Sequence, residues 1–215
     1  MSSPLSSLET LSLMVQNSNE ILRKILAAMR RVPPQVYAPG DDTFLMIDAI
    51  STLSVEGKNV LDLGTGTGIL GLYCALSNAH VTASDIDELA IRHAADTARL
   101  LSVELKLIVS DLFSNIPGQF DLVLFNPPYL PSEGAHDGTV DGGSGGRDLI
   151  IRFLEELPNH LQKDGSALLL VSSLNSPNTL RNNYYSFEFS TVAKRALFFE
   201  ELEVLRVRLR NDLSI

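Results

Sequence analysis

The segment FNPPY, residues 125–129, combines residue types that together could hold a planar amino group. Asn126 offers a side-chain carbonyl oxygen, and Pro127 offers a backbone carbonyl in a turn that two consecutive prolines stiffen. Two acceptors that converge on one point suit an NH2 group, because that group has two hydrogens to donate. Pro128 completes the turn, and Tyr129 adds a flat face for a planar group. The alternative is a rigid turn that only ends a buried strand.

Such a turn would activate a nitrogen by holding it. Hydrogen bonds from an amide or adenine NH2 group to Asn126 and Pro127 would localise the nitrogen lone pair and aim it at an electrophilic carbon. Catalysis would then rest on positioning and fixed dipoles, without a strong general base. We therefore predict that Asn126, Pro127 and Tyr129 are catalytic, and that these three and Pro128 contact the substrate.

A glycine-rich motif, LDLGTGTGILG at residues 61–71, lies between a predicted strand and a predicted helix. Its glycines allow close approach of the backbone to a ligand, although a purely structural turn can have the same composition. No Lys or Arg lies near them, and Asp62 precedes them, so a pyrophosphate ligand is disfavoured. The ammonium or sulfonium of S-adenosylmethionine would suit that carboxylate better.

Two more acidic residues follow the next two predicted strands. Asp85 ends the strand HVTASD, where a carboxylate can accept hydrogen bonds from a ribose diol. Asp111 ends LKLIVSD, where a carboxylate could accept a bond from an adenine amino group while an apolar neighbour, Leu112 or Phe113, packs on the ring. Plainer alternatives exist, since Asp85 or Asp87 could cap the following helix and Asp111 could form a turn. Together with the glycines, these strand ends predict a site for an adenosine.

The elements that position these motifs alternate between strand and helix from residue 59 onward. Apolar strands separated by helices favour a mainly parallel sheet covered on both faces. We predict an α/β, Rossmann-like fold with seven strands, the last pair lying antiparallel within 189–209. A helix over 146–162 is expected to stop at Asp164-Gly165. In such sheets ligands bind at the carboxyl ends of the strands, where all the motifs fall.

The order DLGTGTG, SDID, SDLF and FNPPY resembles the class I S-adenosylmethionine-dependent methyltransferases that modify planar amino nitrogens. Two further segments are similar to the release-factor glutamine N5-methyltransferase family. DGGSGGRDLIIRFL (141–154) resembles its Asp-Gly-Gly…Gly-Arg signature, and VYAPGDDTFLMIDAI (36–50) resembles a segment of its archaeal and eukaryotic branch. The resemblance implies methylation of N5 of the glutamine in the Gly-Gly-Gln loop of a peptide chain release factor, with S-adenosylhomocysteine as product.

The resemblance also assigns residues to parts of the cofactor. It implies that Thr43 and Asp62 touch the methionine part, that Asp85 holds the ribose, and that Asp111 holds the adenine. The candidates for cofactor binding are Thr43, Asp62, Gly64, Thr65, Gly66, Gly68, Asp85, Ile86, Asp111, Leu112 and Asn126. Arg147 follows a glycine-rich stretch and could bind substrate or cap a helix; without the resemblance, 141–147 would be taken as a flexible linker.

The substrate class has alternatives, because the NPPY element suits an adenine as well as a glutamine. A net charge of −9 argues against broad phosphate contacts, and no cluster of basic residues is evident. A protein substrate is therefore favoured over an adenine-N6 methyltransferase acting on RNA or DNA. A non-catalytic scaffold that binds S-adenosylmethionine is disfavoured, since the Asn-Pro-Pro-Tyr turn is intact.

The N-terminal part of the chain is predicted to be helical over 5–31, and prolines then interrupt the pattern. A short helix over 41–52 follows, with Asp41 or Asp42 as its N-cap. We divide the chain into a helical extension, residues 1–34, and a methyltransferase domain, residues 35–215. The extension could pack on the core, cover the site or mediate oligomerisation, and packing is favoured because an amphipathic helix needs only a surface to bury its apolar stripe.

The composition of the chain bears on which disulfides, metal sites and cellular location are expected. Cys74 is the only cysteine, so no disulfide within the chain and no cysteine-built zinc site is expected; it reads as a packed core thiol, and no metal site is predicted. No secretory signal or membrane span is evident, so a cytoplasmic protein is expected. The archaeal and eukaryotic branch resembles enzymes that need a small zinc-binding activator docked along a sheet edge, and ELKLIV (104–109) could be that edge.

Overall fold

The computed structural model describes residues 19–29, 32–128, 147–175 and 177–210, which form an α/β unit around one sheet. The helices are α1 (19–28), α2 (Asp41–Ser51), α3 (Ile69–Leu76), α4 (Glu88–Leu101), α5 (Asp148–His160) and α6 (Pro177–Asn183). The strands are β1 (Asn59–Leu63), β2 (His80–Asp85), β3 (Lys106–Val109), β4 (Phe120–Phe125), β5 (Leu161–Ser172), β6 (Phe187–Ala196) and β7 (Glu201–Leu209).

The sheet has seven strands in the order β3-β2-β1-β4-β5-β7-β6. Strands β1 to β5 are parallel, whereas β7 runs antiparallel to both β5 and β6. The predicted fold class is confirmed, including the antiparallel pair at the C-terminal end of the chain. Because the strand order reverses between β1 and β4, a crevice for ligands is expected at the carboxyl ends of these two strands.

The central strands are apolar because both faces of the sheet are covered. Along β4, Leu122 and Leu124 join a core with α1, α2 and α3, while Val123 and Phe125 join a second core with α5 and α6. The alternation follows from the two-residue period of a strand, so a strand buried on both sides is apolar at every position. The same period puts Asp62 of β1 on the face covered by α3, since Val60 lies in the first core.

Helix α1 packs on the core. Its Ile25 is fully buried in the cluster that includes α2, and Ile21 and Leu22 are partly buried beside it. This agrees with the expectation that the extension packs on the core, for the part of it that the structure describes. The remainder of the helix predicted over 5–31 lies largely outside the described residues, and the domain boundary at residue 34 stays a prediction.

Two predicted helix boundaries were wrong. The N-cap of α2 is Gly40, not Asp41 or Asp42, and the Asp42 side chain is buried in the interior. Helix α5 ends at His160, before Asp164-Gly165, because the chain passes at once into β5. Gly165 instead lies where the register between β4 and β5 shifts, and a Cβ there would approach the Phe120 carbonyl oxygen to 2.8 Å. This close approach of the backbone leaves no room for a side chain, so a glycine is required at position 165.

Three other expectations concern Cys74, the sheet edge and the membrane. Cys74 is fully buried, and burial raises the pKa of its thiol, as expected for a packed core residue. The segment 104–109 contains β3, which forms one edge of the sheet as predicted. Within the described parts of the chain, none of the helices has the length and apolar character needed to cross a membrane.

Candidate active site

The carboxyl ends of four parallel strands meet around a cavity of about 400 Å³. This volume is within the ordinary range for small-molecule and cofactor sites. The segment before α2, through Tyr37, and the first turn of α2, through Asp42, close the cavity from another side. The predicted site residues that line the cavity are Thr43, Gly64, Thr65, Gly66, Asp85, Ile86, Asp111, Leu112, Asn126, Pro127 and Pro128. Motifs far apart in sequence are thus brought into one place.

Three predicted site residues do not line this cavity, and a fourth is not described. Gly68 has φ +85°, and a Cβ there would meet the Ala94 Cβ at 2.7 Å, so its glycine lets α4 pack against the loop. Arg147 is at the N-cap position of α5 and is not among the residues that line the cavity. Asp62 lies beneath the glycine loop. Tyr129 lies outside the described residues, as does 141–146 of the glycine-rich signature.

Asp62 holds the glycine loop from below. It is 1% exposed, and its Oδ2 accepts hydrogen bonds from the Thr65 hydroxyl at 2.5 Å and the Gly71 amide at 2.9 Å. Burial raises the pKa of Asp62 to about 6, although both hydrogen bonds favour the ionised form. The Asp62 carboxylate therefore fixes the loop that lines the cavity, and its direct contact with the cofactor stays a prediction.

We expect the substitution Asp62→Asn to remove a pH-dependent contribution to stability. Because the pKa is raised in the folded protein, the folded state keeps this proton over a range where the unfolded chain has lost it. The free energy of unfolding of the wild type therefore falls as the pH rises from about 4 to about 6. An amide has no such proton, so the difference between the variant and the wild type should move in the variant's favour by up to about 3 kcal/mol.

Urea unfolding of both proteins at several pH values between 4 and 8 measures this difference. Asp96→Asn is the matched control, since Asp96 is an exposed carboxylate on α4 paired with Arg99. That control should follow the wild type at every pH. A difference between Asp62→Asn and the wild type that does not change with pH would contradict the raised pKa of Asp62.

Asp85 connects the ends of β1 and β2. Its Oδ2 accepts a hydrogen bond from the Gly66 amide at 2.8 Å, and its Oδ1 accepts one from the Asp87 amide at 2.9 Å. Burial raises the pKa of the Asp85 carboxyl above its ordinary value. Asp87, in contrast, caps α4 by accepting from the Leu89 amide at 2.8 Å. Each carboxylate oxygen has further lone pairs, so Asp85 can still accept from a ligand hydroxyl.

The loop after β3 presents Leu112 to the cavity. Leu112 has φ +44°, which is uncommon for a residue with a side chain. Ser110 stabilises this conformation, since its hydroxyl donates to the Leu112 carbonyl at 2.8 Å and accepts from the Asn115 amide at 3.0 Å. The buried leucine therefore offers an apolar surface at a fixed position.

Asp111, beside Leu112, is paired with a residue that the sequence did not indicate. The Arg152 guanidinium of α5 donates to Asp111 Oδ2 at 2.9 Å, and both side chains line the cavity. The ion pair raises the pKa of Arg152. It also orients the carboxylate, which keeps its other oxygen for a ligand donor.

Asn126 is held by a second residue missed from the sequence. Its Nδ2 donates to Asp42 Oδ2 at 2.9 Å. Asp42 is 2% exposed and also accepts from the Thr43 hydroxyl at 3.2 Å. The Tyr37 phenol is hydrogen-bonded to Asp42 as well. Burial raises the pKa of Tyr37, and the nearby Asp42 carboxylate raises it further. Three donors thus converge on Asp42, which fixes its position.

This bond decides which atom of the Asn126 amide is left for a ligand. With Nδ2 committed to Asp42, the remaining polar atom is Oδ1, which is buried and accepts no hydrogen bond from any residue that the structure describes. A buried acceptor without a donor is costly in a folded protein. Since Asn126 and the adjacent Pro127 both line the cavity, an acceptor left without a donor here indicates a binding position for a donor group.

The signal for Asp42 was present in the sequence but was misassigned. Its segment, 36–50, was singled out, yet an aspartate at the start of a helix most often acts as a cap. Arg152 had no signal, because it lies on a helix that approaches Asp111 only in the folded chain.

A family profile described as "Methyltransferase small domain" matches residues 41–198, most of the chain. The chain belongs to the methyltransferase small domain family. The match covers the four strand ends and all the residues that line the cavity except Gln35, Val36 and Tyr37.

Three proteins that are similar in sequence to this methyltransferase are themselves named as methyltransferases. A candidate protein N5-glutamine methyltransferase of Methanocaldococcus jannaschii is 36% identical over 184 residues, which is 81% of this chain and 92% of that protein. The human methyltransferase HEMK2 is 30% identical over 161 residues, or 67% of this chain and 75% of its own length. The release factor glutamine methyltransferase of Deinococcus radiodurans is 35% identical over 135 residues, 57% of this chain and 49% of that relative.

One solved structure is similar over nearly its whole length. It is the E. cuniculi Mtq2–Trm112 complex, which is described as responsible for methylation of the eRF1 translation termination factor. The matched chain has 27% sequence identity and a TM-score of 0.68, with 82% of this methyltransferase and 99% of that chain covered. The likeness extends the family assignment from sequence to three-dimensional fold.

Proposed function

We propose that this methyltransferase transfers a methyl group from S-adenosylmethionine to N5 of the glutamine in the Gly-Gly-Gln loop of a peptide chain release factor. The observation that carries the proposal is the Asn126 side chain, whose Nδ2 is bound to Asp42 while its buried Oδ1 faces no donor among the described residues. An acceptor fixed in this way suits the planar NH2 group of a glutamine.

The residues around the cavity fit S-adenosylmethionine. Asp85 offers carboxylate oxygens of the kind that a ribose diol needs, and Leu112 with Asp111 offers an apolar surface beside an acceptor, as an adenine needs. Arg152, the one Lys or Arg among the described residues that line the cavity, is already paired with Asp111, so the site favours a cationic ligand over a phosphate. Thr43, Gly64, Thr65, Gly66, Ile86 and Asn126 are the other proposed contacts. When bound, S-adenosylmethionine supplies an electrophilic methyl carbon.

The contribution of this chain is to hold and orient the substrate amide. The Asn126 Oδ1 and the Pro127 carbonyl would accept the two amide hydrogens and so fix the direction of the nitrogen lone pair. Asp42 keeps the Asn126 amide from rotating by half a turn, which would present a donor where an acceptor is needed. The substrate nitrogen can release its proton after it is methylated, so no strong base is required. Catalysis is by orientation and preorganised dipoles.

A release factor is the proposed substrate because of what the relatives are and because of charge. Relatives named as glutamine methyltransferases match the chain, one of them over 92% of its length. A chain of net charge −9 lacks the general attraction to phosphates on which RNA and DNA binding depends. Tyr129 and Arg147 stay proposed substrate contacts. Since translation termination takes place in the cytoplasm, we propose that location for the enzyme.

An activator protein is a further part of the proposal. Among the described strands β3 pairs with β2 alone and so forms an open edge of the sheet, and Val109 on it and Leu100 on the neighbouring α4 are exposed apolar residues. An open edge with exposed apolar side chains is suited to pairing with another chain. The similar Mtq2 structure is a complex with Trm112. A small zinc-binding partner docked along β3 is therefore proposed for this chain.

The test is a methyl-transfer assay with tritiated S-adenosylmethionine, in which a release factor with a Gly-Gly-Gln loop and total RNA are offered side by side. We expect label in the release factor, at the glutamine, and none in the RNA. The assay is repeated with a candidate activator from the same cell, to separate an enzyme that lacks its partner from one that has no activity. Label in RNA with an unlabelled release factor would contradict the protein substrate and favour an adenine-N6 methyltransferase.

A further inference from the structure

The turn between β6 and β7 lies at the same edge of the sheet as the active site. Ser172, at the carboxyl end of β5, pairs with Leu202 near the start of β7, and Ala196, at the end of β6, pairs with Glu201. Because β5 runs parallel to β4, this turn projects from the edge at which Asn126 follows β4. The hairpin is therefore placed beside the entrance to the site.

Two aromatic residues occupy this turn and face water. Phe198 is 91% exposed and Phe199 is 88% exposed; together they are called the aromatic tip. Their rings lie against each other, with centroids 4.7 Å apart and an angle of 81° between the planes. Fully exposed pairs of large apolar side chains are unusual on a protein surface and are typical of interaction sites.

The aromatic tip stands on a well-bonded support. The Leu197 amide donates to the Glu200 carbonyl at 2.8 Å, which closes the turn. The Ser172 hydroxyl donates to the Glu200 carboxylate, and the Glu201 amide donates to the Ser173 hydroxyl at 3.1 Å. The backbone of the turn that carries the rings is thus held by the end of β5, so a partner that covers the rings would not have to order this backbone.

Contacts of Arg195 and Glu200 connect the hairpin that carries the aromatic tip to the rim of the cavity. Arg195 of β6 donates to Asp41 Oδ1 and to Asp48 Oδ2, each at 3.0 Å, and both acids belong to α2. Asp41 directly precedes Asp42, which lines the cavity. Glu200 lies near enough to Tyr37, another lining residue, for its charge to contribute to the raised pKa of that phenol.

The surroundings of the aromatic tip are acidic. We define the acidic rim as Asp41, Asp48, Glu200 and Glu201. Two cations, Lys194 and Arg195, pair with members of the rim, and Lys194 also pairs with Glu203. The rim therefore keeps a net negative charge, which complements a basic protein surface and repels a nucleic-acid backbone.

We propose that the aromatic tip is a docking surface for the body of the protein substrate, and that it binds an apolar patch flanked by Lys or Arg. This inference rests on the proposed function. A cavity of about 400 Å³ can take a cofactor and one substrate side chain, so the rest of a substrate protein must lie on the surface around the entrance. The aromatic tip and the acidic rim are the parts of that surface suited to hold it.

The test compares two variants in methyl transfer to a release factor and to a short synthetic peptide that contains Gly-Gly-Gln. The variant is the double substitution Phe198→Ala/Phe199→Ala. Its matched control is Tyr185→Ala, which removes an aromatic ring that is 75% exposed near the opposite end of β6. For the double variant, we expect KM for the release factor to rise about tenfold or more, since buried aromatic anchors are typical hot spots.

The double variant should keep its kcat within about twofold, and its KM for the peptide should stay unchanged, because a peptide does not reach the aromatic tip. Tyr185→Ala should match the wild type with both substrates. An unchanged KM for the release factor, or an equal rise for the release factor and the peptide, would overturn the docking surface while leaving the proposed function intact. Absence of transfer by the wild type, with its activator present, would overturn the proposed function and the docking surface together.

Two other occupants of the aromatic tip give distinct results. Analytical ultracentrifugation of the wild type and the double variant tests a second copy of this chain: a dimer that the double substitution dissociates would overturn the proposal. Cross-linking to RNA tests stacked bases: loss of RNA binding in the double variant, with KM for the release factor unchanged, would also overturn it.

Discussion

Replacement of Asn126 by alanine is expected to lower kcat for methyl transfer by about 10²- to 10³-fold, the effect seen when one preorganised dipole is removed from an active site. The truncation deletes Oδ1, the buried acceptor that meets no donor among the described residues. It leaves the other parts of the cavity in place, so affinity for S-adenosylmethionine should change much less than kcat. Single-turnover methyl transfer and calorimetric titration of the cofactor measure the two effects separately.

The substitution Asn126→Asp sharpens this prediction because it keeps the shape of the side chain. It places a second carboxylate opposite Asp42, at a position where the amide nitrogen now lies 2.9 Å from the Asp42 oxygen. Two carboxylates at hydrogen-bond distance repel each other unless they share a proton, so we expect this variant to be nearly inactive at pH 8. The control is Asn159→Ala, which truncates an exposed asparagine of α5.

For the alanine variant, substantial activity of Asn126→Ala would rule out the role of Asn126 Oδ1 as the acceptor for the substrate.

The second large effect is expected at Asp42. In Asp42→Ala the Asn126 amide loses a hydrogen bond to a charged acceptor, worth about 1.5–3 kcal/mol, and can turn its nitrogen toward the substrate. We expect kcat to fall about 10- to 100-fold while KM for the release factor changes little, because the acceptor is misoriented in the transition state. Asp42→Asn retains an oxygen for the Asn126 amide and should recover most of the activity.

Comparison of the two Asp42 variants separates positioning from a purely structural role. If Asp42 only supported the fold, both variants would lose activity in proportion to a lower thermal midpoint, and the conservative change would give no rescue. Thermal unfolding of each variant is therefore recorded beside its kinetics. Asp96→Ala, which removes an exposed carboxylate on α4, should match the wild type in both measurements.

The sequence predicted the fold well because the signals for it are local. Alternating apolar strands and helices follow from burial on both faces of the sheet, and each candidate motif falls at a strand end because parallel strands share one carboxyl edge. The residues that were missed depend on contacts between distant elements. Asp42 and Asn126 are 84 positions apart, and Arg152 reaches Asp111 from a helix 41 positions away. No short segment contains the information for either contact.

Residue type alone does not reveal contacts within the chain that favour the same residue as a ligand would. Asp62 was assigned to the cofactor because a carboxylate suits a cationic ligand, and the structure shows in addition that its Oδ2 accepts hydrogen bonds from the loop. Gly68 was assigned to the cofactor because glycines allow ligands to approach, and the structure shows that it also makes room for Ala94. These contacts depend on the packing of β1, α3 and α4, which no single segment of the sequence contains.

Helix α2 links the active site to the β6–β7 hairpin. Its adjacent residues Asp41 and Asp42 are bonded in different directions, the first to Arg195 of the hairpin and the second to Asn126 after β4. A rigid-body displacement of α2 would therefore stretch both bonds together. We therefore expect the position of the β6–β7 hairpin and the orientation of the Asn126 amide to depend on each other through the position of α2.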